Sequence, residues 1–178
     1  MHTIWTIGHS TRSLEEFSTL LDSFNIKTLV DVRHYPGSRK FPQYNKDSLK
    51  TSLPEIGVNY KHLVDLGGRR KPDPNSKNDA WRLDAFKGYA DYMETEQFQQ
   101  SLVKLKKIAT EERTAIMCSE AVWWSCHRSL ISDILKVEGW KVMHIMAENK
   151  ATEHPFTQPA TVVDGKLDYS KETEDGRT

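Results

Sequence analysis

The sequence predicts an α/β protein: an open, mostly parallel sheet with helices on both faces and a small C-terminal hairpin. Three observations lead there. Short apolar runs rich in β-branched residues alternate with stretches whose apolar residues recur at helical spacing. That alternation is the pattern of crossover-connected parallel strands. The segment Thr114 to Leu135 compresses the same unit into a strand, a polar turn and an amphipathic helix. Near the end, Val162 to Leu167 carries an Asp-Gly pair between short extended runs, the signal of a tight hairpin.

Taken in order, Thr3 to Ile7 reads as the first strand and ends at Gly8-His9-Ser10. Ser13 and Glu16 form a capping box for a helix that buries Leu14, Phe17, Leu20, Leu21 and Phe24. Lys27 to Val32 is the second strand. The loop from His34 to Asn45 holds two prolines and a glycine and is expected to be non-helical. Asn45 is expected to cap a short helix running to about Ile56, and Val58 to Leu63 alternates as a third strand. A polar, mobile loop is expected from Leu66 to about Asp79. Two helical stretches follow, one around Trp81, Phe86, Tyr89 and Met93, the other burying Phe98, Leu102, Leu105 and Ile108. Ala115 to Cys118 is the fourth strand. Leu130, Ile131, Ile134 and Leu135 mark the next helix, and Val142 to Ile145 the fifth strand. Residues 1–169 are read as a single domain, with 170–178 as a frayed, charged tail.

Composition narrows the function classes. The formal net charge is +0, which removes the simplest case for a protein that coats nucleic acid. No apolar run approaches the roughly 20 residues of a membrane span, and the N-terminus lacks a secretory signal. Two cysteines in such a chain point to a reducing, cytoplasmic setting.

In doubly wound sheets, ligands sit beyond the carboxyl ends of the strands. That rule gathers Gly8-His9-Ser10, Arg33 to Arg39, Leu66 to Arg70 and Cys118 to Arg128 at one edge, with His144 near the end of the fifth strand. Arg33, Arg39, Arg69, Arg70 and Arg128 give that edge planar forks suited to phosphate or carboxylate. The helix start near His127 adds backbone N–H groups that favour an anion. Ionic partners such as Asp31, Asp65 or Glu120 are the structural alternative for these arginines. His9 and His127 have the pKa range for proton transfer, and Glu120 can orient a water or hydroxyl. Of the adjacent Trp123 and Trp124, one is expected to pack inward and the other, Trp124, to line the cleft as a stacking surface with Tyr35. Cys118 and Cys126 are candidate nucleophiles, buried hydrophobes, or partial metal ligands with His9, His127 or His144.

The stretches TIGHSTRSLEEF, LVDVRHYPGSRKFPQYN, HLVDLGGRR, MCSEAVWWSCHRSLISDIL and HPFTQPA, in that order from Thr6 to about Asp164, resemble the family called domain of unknown function 488. The resemblance implies shared polar positions at His9, Ser10, Arg33, Ser38, Arg39, Asn45, Cys118, Glu120, Cys126, His127 and Arg128. Ser125 departs from the arginine expected before Cys-His-Arg, which removes one anion contact. The resemblance implies a fold and a site address, and no reaction.

The first functional expectation is a polar pocket that binds or processes a phosphorylated or nucleotide-like ligand. His9, Glu120 and His127 would do chemistry. Ser10, Arg33, Ser38, Arg39, Asn45, Trp124, Cys126 and Arg128 would bind. The alternatives are a nucleic-acid or nucleotide binding module without catalysis, and cysteine- or metal-dependent chemistry at Cys118 and Cys126. Whether the protein is an enzyme stays open, and no cofactor is specified.

Overall fold

The strands of the sheet obey a strict two-residue alternation, and that alternation divides the core in two. In a computed structural model of the chain, which describes residues 1–171, β1 (Thr3–Gly8) sends Ile4 to one face and Trp5 and Ile7 to the other. In β2 (Thr28–Asp31) Val30 and Leu29 divide the same way, as do Ile116 and Cys118 against Ala115 and Met117 in β4 (Thr114–Cys118). One face is covered by α1 (Leu14–Ser23) and α2 (Lys46–Glu55), the other by α3 (Asp84–Tyr92), α4 (Glu96–Glu111) and α5 (Arg128–Val137). The strands are apolar on both sides because both sides are covered.

With β3 (Asn59–His62), β5 (Lys141–Ala147) and β6 (Lys150–Glu153), the sheet has the order β3-β2-β4-β1-β5-β6. The first five strands are parallel and β6 pairs antiparallel to β5. The α/β class, the mostly parallel sheet and the hairpin are therefore as expected; β7 (Thr161–Val163) and β8 (Lys166–Asp168) meet across Asp164-Gly165, both at positive φ as a two-residue hairpin turn requires. The extra edge strand β6 was not expected.

The connections fix where a crevice opens. From β1 and β2 the chain crosses along the α1–α2 face toward β3; from β3 and β4 it returns along the opposite face toward β5. The loops leaving β1 and β2 therefore diverge from the loop leaving β4, which lies between those two strands. Such a switch point leaves a crevice at the carboxyl edge.

Local details depart from expectation for identifiable reasons. Ser13 and Glu16 make the capping box of α1. Asn45 does occupy the cap position of α2, but its side chain makes no cap bond; Asn45 Oδ1 accepts from Ser38 N at 2.5 Å instead. The loop before it contains one 3-10 turn, Pro42–Tyr44, begun by a proline whose missing N–H costs nothing there. The loop expected to be mobile is tied down by Asp91, which accepts from Asp73 N, Ser76 Oγ and Asn78 Nδ2. Of the expected tail, Ser170 N donates to Asp168 and Lys171 N to Asp79; residues 172–178 lie outside the described residues. Among the described residues no helix is long and apolar enough to cross a membrane.

Candidate functional site at the carboxyl edge of the sheet

The crevice is a cleft of about 800 Å3 lined by the loops after β1, β2, β3 and β4 and by the start of α3. Its geometry begins at Gly8. A Cβ there would stand 1.6 Å from the carbonyl oxygen of Glu120, so only glycine lets the β4–α5 loop cross over the end of β1. His9 N then donates to Cys118 O at 3.0 Å and Ser10 N to Ser119 O at 2.9 Å, which continues the β1–β4 pairing into the cleft. Ser10 takes a left-handed backbone (φ 51°) to turn away, and Arg69 on the opposite lip does the same (φ 63°). Such strain costs about 1–3 kcal/mol and collects at functional sites.

His9 has its tautomer set by its neighbours. Its Nδ1 faces Ser10 O at 2.8 Å; a carbonyl can only accept, so Nδ1 carries the proton and Nε2 carries the lone pair. The ring stacks on Tyr44, with centroids 4.2 Å apart. Burial lowers the His9 pKa, and the Arg33 charge adds to that, so the imidazole stays neutral near pH 7. Arg33 is itself held. Its Nε and Nη2 donate to the two oxygens of Asp31, at 2.9 and 2.7 Å, and Nη2 also reaches Tyr44 O. Burial works against its charge, but the Asp31 hydrogen bond and charge outweigh it and raise the Arg33 pKa. Tyr60 donates to Asp31 Oδ2 at 2.5 Å and completes the carboxylate's shell. Nη1 donates to His9 Nε2 at 3.4 Å, with its second hydrogen left for the cleft.

His127 lines the cleft from the other side. Nε2–H donates to Val32 O at 2.7 Å, which leaves the Nδ1 lone pair against Gly68. A Cβ at Gly68 would meet that nitrogen at 3.0 Å. Burial lowers the His127 pKa to about 4, with the Arg128 and Arg70 charges in the same direction. The ring is therefore neutral, and its proton is already committed to Val32. Glu120 is exposed on the cleft wall, and Ser38 lines it while its hydroxyl accepts from Lys40 N and Phe41 N.

The structure thus brings His9, Ser10, Arg33, Ser38, Glu120, Cys126 and His127 to one cavity. It does not bring the other four. Arg128 is 1% exposed and turned inward, with Nη2 on the carbonyls of Glu120 and Ala121. The helix-start amides expected to hold an anion are also taken: Arg128 N donates to Cys126 Sγ, Ser129 N to Cys126 O and Leu130 N to His127 O. Arg39 is exposed and off the cleft, and Asn45 is spent on Ser38 N. Of the two tryptophans, Trp123 does pack inward, stacked on His144 at 4.8 Å, while Trp124 is 56% exposed and outside the cleft lining. His144 is not at the edge; it sits in a buried chain with Thr6 and His154. Among the described residues no group of three or more His, Cys, Asp or Glu is arranged to hold a metal, so Cys118 and Cys126 find no histidine partner for one.

Residue reading missed several contributors. Phe86 and Tyr89 of the α3 region wall the cleft; their helical spacing marked them only as core. Ser119 and His34, which had no named role, also line it, as does the expected Cys118. Asp31 was the expected ionic alternative for an arginine and does pair with Arg33; Tyr60, which donates to Asp31, carried no signal beyond its place on an adjacent parallel strand.

A family model described as Domain of unknown function DUF488 matches residues 13–135. The match takes in α1 through most of α5 and so the β2 and β4 loops of the cleft, while β1 with His9 and Ser10 precedes it. No curated protein and no solved structure matches the chain.

Proposed function

The chain belongs to the family described as Domain of unknown function DUF488, and from that premise we propose that its carboxyl-edge cleft binds and processes a small anionic, nucleotide-like ligand. The single observation that carries this reading is the convergence of four strand-end loops on one cavity of about 800 Å3, a volume suited to a small molecule. Arg69 is the exposed cation at the lip, its guanidinium 5.3 Å from the Tyr35 ring centroid, and Arg33 Nη1 lies deeper. Together they provide for one anionic group rather than a long polyphosphate. Phe41 and Phe86 offer apolar wall to a flat moiety, and Ser10 offers a hydroxyl. His9 Nε2 is the base, kept unprotonated by burial; its lone pair accepts a long hydrogen bond from Arg33 Nη1 at 3.4 Å and becomes available when a ligand anion draws Arg33 Nη1 away. Glu120 faces the cavity as the group that orients a water or a hydroxyl.

The nucleic-acid alternative has less behind it. Arg39 and Trp124, the exposed cation and indole it needs, both stand outside the cleft. A thermal-shift panel of nucleoside mono-, di- and triphosphates tests the proposal. Monophosphates are expected to raise the melting temperature at millimolar concentration by mass action. A panel in which no member does so overturns it.

A further inference from the structure

The chain has two cysteines, and the fold brings them together under the cleft. Cys118 ends β4 on the face that packs against α5, and Cys126 sits two residues before that helix begins. Their sulfurs are 2.7 Å apart, one S–H bonded to the other. A disulfide requires about 2.05 Å, so the sulfurs at 2.7 Å are within about 1 Å of bonding distance. Both residues line the cleft, at 2% and 9% exposure.

Their surroundings favour negative charge on sulfur. Arg128 N, at the start of α5, donates to Cys126 Sγ at 3.4 Å. The Arg128 guanidinium is buried, its Nε has no acceptor, and among the described residues no carboxylate lies within ion-pair reach of it. A buried cation without an anion is costly. A thiolate beside it supplies the missing charge. Burial pushes the Cys118 thiol up, but the Cys126 hydrogen bond and the Arg128 charge outweigh burial and bring it below its ordinary value. Burial and the neighbouring Cys118 push Cys126 well up. Cys118 Sγ also donates to Glu120 O at 3.7 Å while Cys126 Sγ accepts from Arg128 N, so the site supports one negative charge shared by the pair.

We propose that Cys118 and Cys126 form a redox-active dithiol on the cleft floor that reduces a small-molecule disulfide. The thiolate of one cysteine attacks one sulfur of R–S–S–R. A protein–substrate S–S bond forms, the substrate S–S bond breaks, and the first R–S⁻ leaves. The other cysteine gives its proton to that R–S⁻, which departs as R–SH. The second cysteine, now a thiolate, attacks the first cysteine's sulfur and expels the second R–S⁻, which takes from water the proton that the first cysteine had released. Two protein thiols are oxidised to one disulfide, and one substrate disulfide is reduced to two thiols. The proposal is independent of the anion-binding reading, because an uncharged disulfide tests it.

Reduced full-length protein mixed with 2-hydroxyethyl disulfide at neutral pH, followed by intact mass and peptide mapping, is the experiment. Wild type is expected to lose the mass of two hydrogens and to yield a linked Cys118–Cys126 peptide. Cys126→Ser and Cys118→Ser are each expected to form no internal disulfide and to stop at one mercaptoethanol adduct on the remaining cysteine. A folded wild type that stays reduced, or one that accumulates adducts without forming the Cys118–Cys126 link, overturns the proposal. Should either variant fail to fold, the wild-type peptide map decides alone.

Discussion

Replacing Asp133 with alanine should destabilise the protein by about 4 kcal/mol. Asp133 is fully buried on α5, and both its oxygens are fully used. Oδ1 accepts from His154 Nε2 at 2.7 Å and from Thr157 N at 3.0 Å; Oδ2 accepts from Thr157 Oγ1 at 2.5 Å and from Tyr169 OH at 2.7 Å. The chain of contacts continues from His154 Nδ1 to His144 Nε2 at 2.8 Å, and from His144 Nδ1 to Thr6 Oγ1 at 2.5 Å. One carboxylate therefore fastens the segments after β5 and the C-terminal hairpin to α5 and β1. Alanine leaves four donors without an acceptor in a site closed to water. At about 1 kcal/mol or more each, the loss is about 4 kcal/mol, in line with about 3–5 kcal/mol for breaking a buried pair. That is a large part of the roughly 5–15 kcal/mol of an ordinary domain. Urea unfolding followed by far-UV circular dichroism measures it. Asp133→Asn is expected to lose nearly as much, because its amide NH2 would face a donor. A loss under about 1 kcal/mol for Asp133→Ala would refute the reasoning.

Acid should destabilise the fold from near neutrality. The His127 pKa is lowered to about 4 and that of His144 to about 2, both mainly by burial, and His9 is lowered too. The unfolded chain takes up protons on these residues from about pH 6.5 downward while the native state refuses them, so stability falls as pH drops below 6.5. Between about pH 7 and pH 5.5 His127 and His144 together should cost roughly 2–3 kcal/mol; a melting temperature that is flat over that interval contradicts the neutral assignments. Gly8→Ala should lose several kcal/mol, or fail to give soluble protein, because the added Cβ meets the Glu120 carbonyl at 1.6 Å. Unchanged urea stability would mean that the β4–α5 loop does not cross the end of β1. Tyr60→Phe removes the 2.5 Å bond to Asp31 and should cost about 1–2 kcal/mol of stability in the same assay; no measurable loss would remove Tyr60 from the Asp31–Arg33 support.

Much of the architecture is legible in the residues, since periodicity and local caps encode it. Leu29, Val30 and Ile116 announce doubly covered strands, Ser13 with Glu16 announces a helix start, and Asp164-Gly165 announces the hairpin. The edge strand β6 is not legible, because Lys150-Ala151-Thr152-Glu153 has no apolar alternation. Its polarity suits a strand with one open edge. The topological rule places the cleft, yet counting arginines overstates its charge. Arg69 and Arg128 look alike in a sequence. What separates them is a left-handed turn that presents one guanidinium at the lip and a helix start that turns the other inward. The Asp133–His154–His144 chain was invisible for a similar reason: its members come from α5, β5 and the segment after β6, and only packing sets them side by side.

Calorimetric titration of a nucleoside monophosphate into wild type and Arg69→Ala measures the central claim most directly. Saturable binding is expected to wild type, weakened about 10- to 100-fold by the substitution, the worth of one charge-assisted hydrogen bond at roughly 1.5–3 kcal/mol. No binding to wild type, or equal affinity for both proteins, would contradict an anion site at this cleft.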